Sequence, residues 1–147
     1  MSLFKAIDIS ASGLTAQRLR MDTISENIAN VNTTRTAAGG PYRRKVVVFE
    51  SRELENRFSG LLNKALEAQK IGEGVRVVKI AEDNTPFKMV YDPNHPDANA
   101  QGYVRMPNVN IVTEMVNMIS ATRAYEANVT AVKSSKDIAL KSLEIGR

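Results

Sequence analysis

From Ile111 to Ile145 the chain runs thirty-five residues without a Pro or a Gly. Taken in alternating steps of four and three from Ile111, the positions read Ile111, Met115, Met118, Thr122, Tyr125, Val129, Val132, Lys136, Ala139 and Leu143, and eight of these ten are apolar. One continuous stripe at that spacing predicts a helix that packs along a partner. Asn110 is placed to cap its start, Glu114 lies where the helix dipole favours a negative charge, and Gly146 fits its end. At 1.5 Å per residue the helix is about 52 Å long. A compact chain of 147 residues has a radius of gyration of only about 15 Å. A helix of that length needs support along its side.

The other end of the chain supplies a candidate. Ile7, Leu14, Met21 and Ile28 fall seven apart, and Leu3, Ala11, Ile24 and Val31 widen their stripe, while Arg18 and Ser25 weaken it. This predicts a first helix over residues 1–31. Gly13 sits inside it, where a glycine costs up to about 1 kcal/mol against alanine. Asn27, Asn30, Asn32, Thr33 and Thr34 crowd its end, followed by a connector through Gly39, Gly40 and Pro41. The two helices are expected to pair, with each other or with neighbouring copies. Stripes so often interrupted by polar residues suit an assembly in which many copies cover one another.

Between the helices the pattern changes to strands: Val46–Phe49 within residues 42–50, an alternating run over 74–81, and shorter runs over 87–91 and 102–106. Residues 51–71 read as a weak helix or a loop, and 92–100, rich in Asp, Asn and Pro, as a loop. The expected fold class is α+β, with two long terminal helices forming a coiled-coil-like axial domain and a small β-rich insert between them. The expected divisions are an N-terminal axial helix (1–34), a β-rich middle (35–107) and a C-terminal axial helix (108–147).

Little points to chemistry. There is no Cys and no Trp, and only one His. Disulfides, thiolate metal sites and Cys nucleophiles are excluded. His95 lies among Asp92, Asn94 and Asp97, but no Gly occupies the sixth position from Asp92 and Tyr103 stands where a calcium loop needs Glu. A surface turn is the expectation there. The acidic pairs Glu53/Glu55 and Glu82/Asp83 read as solvated loop charges, and the glycine pairs are wrongly placed to cradle a phosphate. No catalytic, cofactor or metal residue is assigned, and no enzyme is expected. Net charge is only +4, and the basic run Arg43-Arg44-Lys45 is expected to be solvated, with contact to an acidic neighbour or a phosphate as the alternative. No stretch approaches the eighteen apolar residues of a membrane span, and no basic leader with an apolar run opens the chain. Any passage out of the cytoplasm is expected to use another route.

Several motifs carry a family resemblance. Asn27-Ile28-Ala29-Asn30-Val31-Asn32-Thr33-Thr34 closes the first helix; Arg35-Thr36 precedes Gly39-Gly40-Pro41-Tyr42-Arg43-Arg44. Val90-Tyr91-Asp92-Pro93 is followed by His95-Pro96, and Gly102-Tyr103-Val104 by Pro107-Asn108-Val109-Asn110. Glu114-Met115-Val116 and Arg123-Ala124-Tyr125-Glu126-Ala127-Asn128 lie in the last helix. Together they resemble the bacterial flagellar basal-body rod proteins, and the middle motifs and short length resemble the proximal-rod members.

The resemblance implies a structural subunit of the drive shaft that crosses the periplasm, exported by the flagellar type III apparatus. Its partners would be other copies of itself and other flagellar rod proteins, without nucleic acid. It also implies terminal segments that are often disordered in the free monomer and fold into coiled coils in the rod. The expected assembly interface buries Ile7, Leu14, Met21 and Ile28 against Met115, Met118, Tyr125 and Val129, and continues through Val132 and Leu143. Alternatives are a distal-rod or hook subunit, which carries a larger insert, and a basic coiled-coil protein that binds nucleic acid through Arg43, Arg44 and Lys45.

Overall fold

The computed structural model describes residues 3–37, 39–52 and 73–145. In chain order the elements are α1 (Leu3–Ala29), β1 (Lys45–Ser51), β2 (Val75–Glu82), β3 (Lys88–Tyr91), β4 (Tyr103–Met106) and α2 (Ile111–Ile145). This is the expected α+β arrangement of two terminal helices around short strands. Beyond Arg52, the weak helix or loop expected over 51–71 lies outside the described residues.

The helix ends follow local chemistry. Asn110 Oδ1 accepts the N–H groups of Val112 and Thr113 at 3.0 and 3.3 Å, serving two first-turn donors that have no partner within the helix. At the end of α1, Val31 N–H donates to Ile28 O and Thr33 N–H to Asn30 O, tightening the chain into a turn just past Ala29. Asn27, in the Asn/Thr-rich end of the helix expected over residues 1–31, lies in its last turn.

The sequence left open whether the helices pair within one chain or between chains. They pair within the chain and run antiparallel: Asn27 meets Glu114, Met21 meets Thr122, and Gly13 meets Asn128. Apart from Ile24, the most buried positions of the helix pair are small or polar: Gly13, Ala16, Thr23 and Asn27 on α1, Glu114 and Ala121 on α2. On α2 the half-buried Met118, Tyr125, Val132 and Ala139 belong to the stripe read from sequence. Glu114, Ala121, Asn128 and Ser135 share the seam, each one residue ahead of Met115, Thr122, Val129 and Lys136; of these last four, Thr122 and Val129 are half-buried too, while Met115 and Lys136 are exposed. One residue turns a helix by about 100°, so the face that α2 turns to α1 overlaps the expected stripe and extends to the side of Ala121 and Asn128.

Glycine explains the close approach. A Cβ on residue 13 would meet the Asn128 carboxamide at 3.0–3.1 Å. Gly13, unfavourable for the isolated helix, is what lets the two backbones come together.

β1 and β2 form an antiparallel ribbon from Lys45↔Glu82 to Ser51↔Val75, with a bulge between Val48 and Phe49. β1 starts at Lys45 rather than Tyr42 because the preceding amides are engaged elsewhere: Tyr42 N–H donates to Thr33 O and Arg44 N–H to Asn108 Oδ1. The ribbon lies on α1. Val75 N–H donates to Ser12 Oγ at 3.0 Å, Ser12 Oγ donates to Ile9 O at 2.7 Å, and Lys5 pairs with Glu73 at 2.8 Å. β3 and β4 make a separate hairpin from Lys88↔Met106 to Tyr91↔Tyr103. The Tyr91 and Tyr103 rings meet edge-on at 5.2 Å. Its loop is closed by Asn99 Oδ1, which accepts the N–H groups of Gln101 and Tyr103.

Where β2 joins α1, Gly74 has φ +113° and sits so close to Ser12 Oγ that an added Cβ would collide with it. Gly74→Ala is therefore expected to destabilise the chain by about 1–3 kcal/mol, from backbone strain and overlap together. Urea titration reads the loss. Measured in a Ser12→Ala background, where the hydroxyl and its hydrogen bonds are absent from both chains compared, Gly74→Ala should still carry the backbone part of the cost, and no cost there would show that the backbone is unstrained.

Candidate assembly interface

One polar cluster joins both helices to the ribbon. Asn27 and Glu114 are each 1% exposed. Asn27 Nδ2 donates to Glu114 Oε2 at 3.0 Å and to Lys45 O at 2.8 Å. Its Oδ1 accepts Tyr42 O–H at 3.0 Å and Lys45 N–H at 2.9 Å. Both donors and both lone pairs of the amide are thus used, the condition for burying such a group without penalty. Arg44 grips the other oxygen of Glu114, with Nε at 2.9 Å and a terminal guanidinium nitrogen at 2.8 Å. The second terminal nitrogen reaches Asp83 Oδ2 at 3.2 Å. Asn108, just ahead of α2, closes the circuit: Oδ1 accepts Arg44 N–H at 2.8 Å, and Nδ2 donates to Asp83 O at 3.0 Å and to Thr85 Oγ1 at 2.8 Å.

The basic run is therefore not solvated. Arg44 pairs with Glu114 and Asp83, Lys45 with Glu26, and Arg43 lies over the Phe87 ring at 4.5 Å. The alternative of acidic neighbours holds, and the charges invoked for nucleic acid are committed inside the chain. Burial opposes the Arg44 charge, but the hydrogen bond and charge of Glu114, then of Asp83, outweigh it and raise its pKa. Asp83 is lowered first by the Thr85 backbone N–H and then, against some desolvation, by Arg44. Tyr42 is pushed up to about 12, by burial first and then by the charges of Glu26, Glu114 and Glu82.

Sequence reasoning missed this cluster. It read Asn27 as a turn residue, Glu114 as a dipole partner and Arg44 as solvated. The available signal was an Asn and a Glu near the adjoining ends of two helices that both need partners, with an Arg run between them.

Of the residues expected at an assembly interface, Ile7, Leu14, Met21, Ile28, Met118, Tyr125, Val129 and Val132 are half-buried, while Met115 and Leu143 face outward. The structure brings Met21 Sδ to 3.7 Å from Thr122 Oγ1, beside Met118. The start of α2 carries a larger uncovered face than the stripe suggested: Ile111, Val112, Met115, Val116 and Ile119, with Val112 70% and Val116 61% exposed. Between Ile111 and Thr122 the sole charged residue is Glu114, and it is buried. This water-facing helix surface is therefore uncharged and largely aliphatic, the composition of a contact surface. It adjoins an open groove whose lining includes Val31, Pro86, Val90, Met106, Val109 and Ile111. Ile138, Leu140 and Leu143 are exposed near the far end.

The His95 loop is held by its own hydrogen bonds. His95 Nδ1 accepts Asp97 N–H at 3.1 Å, and Thr34 Oγ1 donates to Asp97 Oδ2 at 2.7 Å. Among the described residues, no group of three or more His, Asp or Glu is placed to hold a metal, and no helix is long and apolar enough to cross a membrane.

A paired-helix shaft with an uncharged aliphatic flank is the form of a subunit built into a larger structure. Known proteins of that class match both ends of the chain. Residues 7–35 match the family described as "Flagella basal body rod protein", and residues 100–145 the one described as "Flagellar basal body rod FlgEFG protein C-terminal". The chain is 49% identical to the flagellar basal-body rod protein FlgC of Bacillus subtilis (strain 168), with 100% of each covered. It is 50% identical to FlgC of Borreliella burgdorferi, over 99% of this chain and 98% of the relative. FlgC of Escherichia coli O6:H1 is 40% identical, with 100% of each covered. The chain belongs to the FlgC family of flagellar basal-body rod proteins. Its function is that of a structural rod subunit, and its place is the basal body of the bacterial flagellum.

Two outcomes test the cluster. Glu114→Ala strands a partly buried Arg44 and one amide hydrogen of Asn27, and should cost about 3 kcal/mol in chemical denaturation. The second outcome concerns alkali. The folded state holds the Tyr42 proton more tightly than the unfolded chain, whose pKa is the ordinary 10.0. The resulting stabilisation is fully present below about pH 10 and is lost as pH rises toward about 12. The loss should be on the order of 2 kcal/mol. Tyr42→Phe should remove that alkaline limb, and a limb unchanged in the variant would locate its origin elsewhere.

Proposed function

We propose that this chain is a subunit of the proximal part of the rod, where its helix pair is packed into the shaft and neighbouring subunits cover its uncovered faces. The observation that carries this reading is the uncharged aliphatic face of α2 from Ile111 to Ile119. Each Ile, Val or Met that passes from water into such a contact contributes roughly 1.5–3 kcal/mol. Met115 and Leu143 belong to the outward surface. The half-buried Ile7, Leu14, Met21, Ile28, Met118, Tyr125, Val129 and Val132 line or flank the intrachain seam, and neighbours complete their burial. The neighbours are other copies of this chain and other flagellar rod proteins.

In this reading residues 1–34 and 108–147 form the axial part of the subunit and 35–107 the outward-facing part, and the assembled shaft crosses the periplasm. The chain reaches it through the flagellar export apparatus. A thin seam of small residues and the lack of cysteine support this, because such a chain is easily kept unfolded for passage. Its role is mechanical rather than catalytic. Support comes from the relatives, which are rod proteins by name, and from the commitment of the buried charged groups to one another.

The test is a charge placed on the uncovered face. Val116→Asp should leave the stability of the purified chain within about 0.5 kcal/mol of the parent. In the source bacterium it should remove the chain from purified basal bodies and abolish motility. Val129→Asp, on the flank of the seam, should also fail to incorporate while remaining soluble. Basal bodies holding normal amounts of the Val116→Asp chain would refute the interface.

A further inference from the structure

The seam that joins α1 and α2 has a weakness that its own packing does not cure. Gly13, Ala16, Ala121, Ser135 and Ala139 recur at heptad-compatible positions. Small side chains make few demands on what lies opposite. In the observed alignment Gly13 faces the Asn128 carboxamide; sliding one helix by seven residues would set it against Ala121 or Ser135 instead, which are no larger, so packing at Gly13 alone scarcely distinguishes the alignments.

The geometry points to the Asn27–Glu114–Arg44 cluster as the determinant of register: it selects one alignment of the helix pair and so sets where the face Ile111–Ile119 stands relative to α1 and the ribbon. Three observations carry this. The cluster lies where the helices adjoin the ribbon, so it measures position along both. Asn27 is saturated from four directions, by Glu114, Tyr42 and both backbone groups of Lys45. A slip of seven residues would set Asn27 against Ala121, which offers no side-chain acceptor, and would take Glu114 away from Arg44. Hydrogen bonds to buried groups are directional and are lost outright by such a slip, whereas Gly13 would still meet a side chain small enough to fit. Replacing such a cluster by apolar residues is known to leave stability intact or higher in other settings, so its value here is selection among alignments.

The chain lacks cysteine, which makes crosslinking a clean test. In the purified full-length chain, Met21→Cys paired with Thr122→Cys reports the observed register, since these side chains already touch. Met21→Cys paired with Met115→Cys or with Val129→Cys reports a slip of seven residues either way. That slip is about 10.5 Å along the axis, beyond the roughly 7 Å between Cα atoms that a disulfide spans. In the parent, only the 21–122 pair should oxidise within one chain. In the Asn27→Leu/Arg44→Met/Glu114→Leu background, helical circular dichroism should persist, and slipped pairs should oxidise at rates comparable to 21–122. Glu114→Gln keeps the shape but sets an NH2 donor against either the Asn27 amide or the Arg44 guanidinium, and slipped pairs should then oxidise at rates between those of the parent and the triple variant.

A triple variant that crosslinks only at 21–122 would show that the seam sets its own register and would overturn the inference. Loss of helical signal in the triple variant would overturn it differently, by making the cluster a support of the fold itself. A parent chain that fails to crosslink at 21–122 would also overturn it, because no intrachain pair would exist to be aligned.

Discussion

The Glu114 carboxylate holds together three parts of the chain that are far apart in sequence. One oxygen receives the Arg44 guanidinium from the start of the ribbon, and the other receives the Asn27 amide from α1. At 1% exposure the carboxylate has exchanged water for these donors. Inside a protein that exchange is favourable only when the geometry is good and remaining polar atoms are served. Here they are, down to the backbone of Lys45 and the amide of Asn108. The ribbon cannot shift on α1, or α2 on either, without leaving a buried group unpaired.

Apolar packing gives little of that definition. The buried apolar side chains of the described residues are few: Ala16, Ile24, Tyr42, Val104 and Ala121. Gly13 lets the helices approach until Asn128 fills the space where a side chain would stand. Close approach of this kind gains van der Waals contact but little area removed from water. The larger aliphatic side chains, Ile111, Val112, Met115, Val116 and Ile119, lie on the other side of α2. Large residues outside and small ones inside invert the usual order of a monomeric domain. Under the function proposed above, this inversion makes sense, because the outside of the subunit becomes the inside of the rod.

The division between legible and illegible in the sequence follows from what each feature depends on. The length of α2, its Asn110 cap, the strands and the turn after Ala29 depend on local pattern, and local pattern located them within a few residues. The phase of the seam depends on which face the partner covers. A stripe built from Met115, Thr122 and Val129 differs by one residue from one built from Glu114, Ala121 and Asn128. Ranking by hydrophobicity chose the former, because it has no means of knowing that glycine and alanine opposite favour the small, polar set. The lock was hidden for a related reason. Each member has an ordinary local reading, as turn, dipole partner or solvated charge. The network exists only once residues separated by 87 and 70 positions meet. The candidate contact face was half legible: Met115 and Leu143 were on the stripe, whereas Val112 and Val116 are conspicuous only once the intrachain seam is known to lie elsewhere.

Directional and non-directional forces thus occupy different places. Hydrogen bonds and ion pairs discriminate by position and angle, and they sit within the chain, where one arrangement must be chosen. Apolar area is almost indifferent to small displacements, and it sits on the outside. A subunit whose outer contacts are tolerant needs an inner geometry that is not, since an error in alignment of the helix pair would be copied into every contact along a rod. Placing the polar cluster at the junction of α1, α2 and the ribbon fixes the subunit's shape before any neighbour arrives. In the proposed assembly the aliphatic face then contributes binding free energy without having to specify the shape as well.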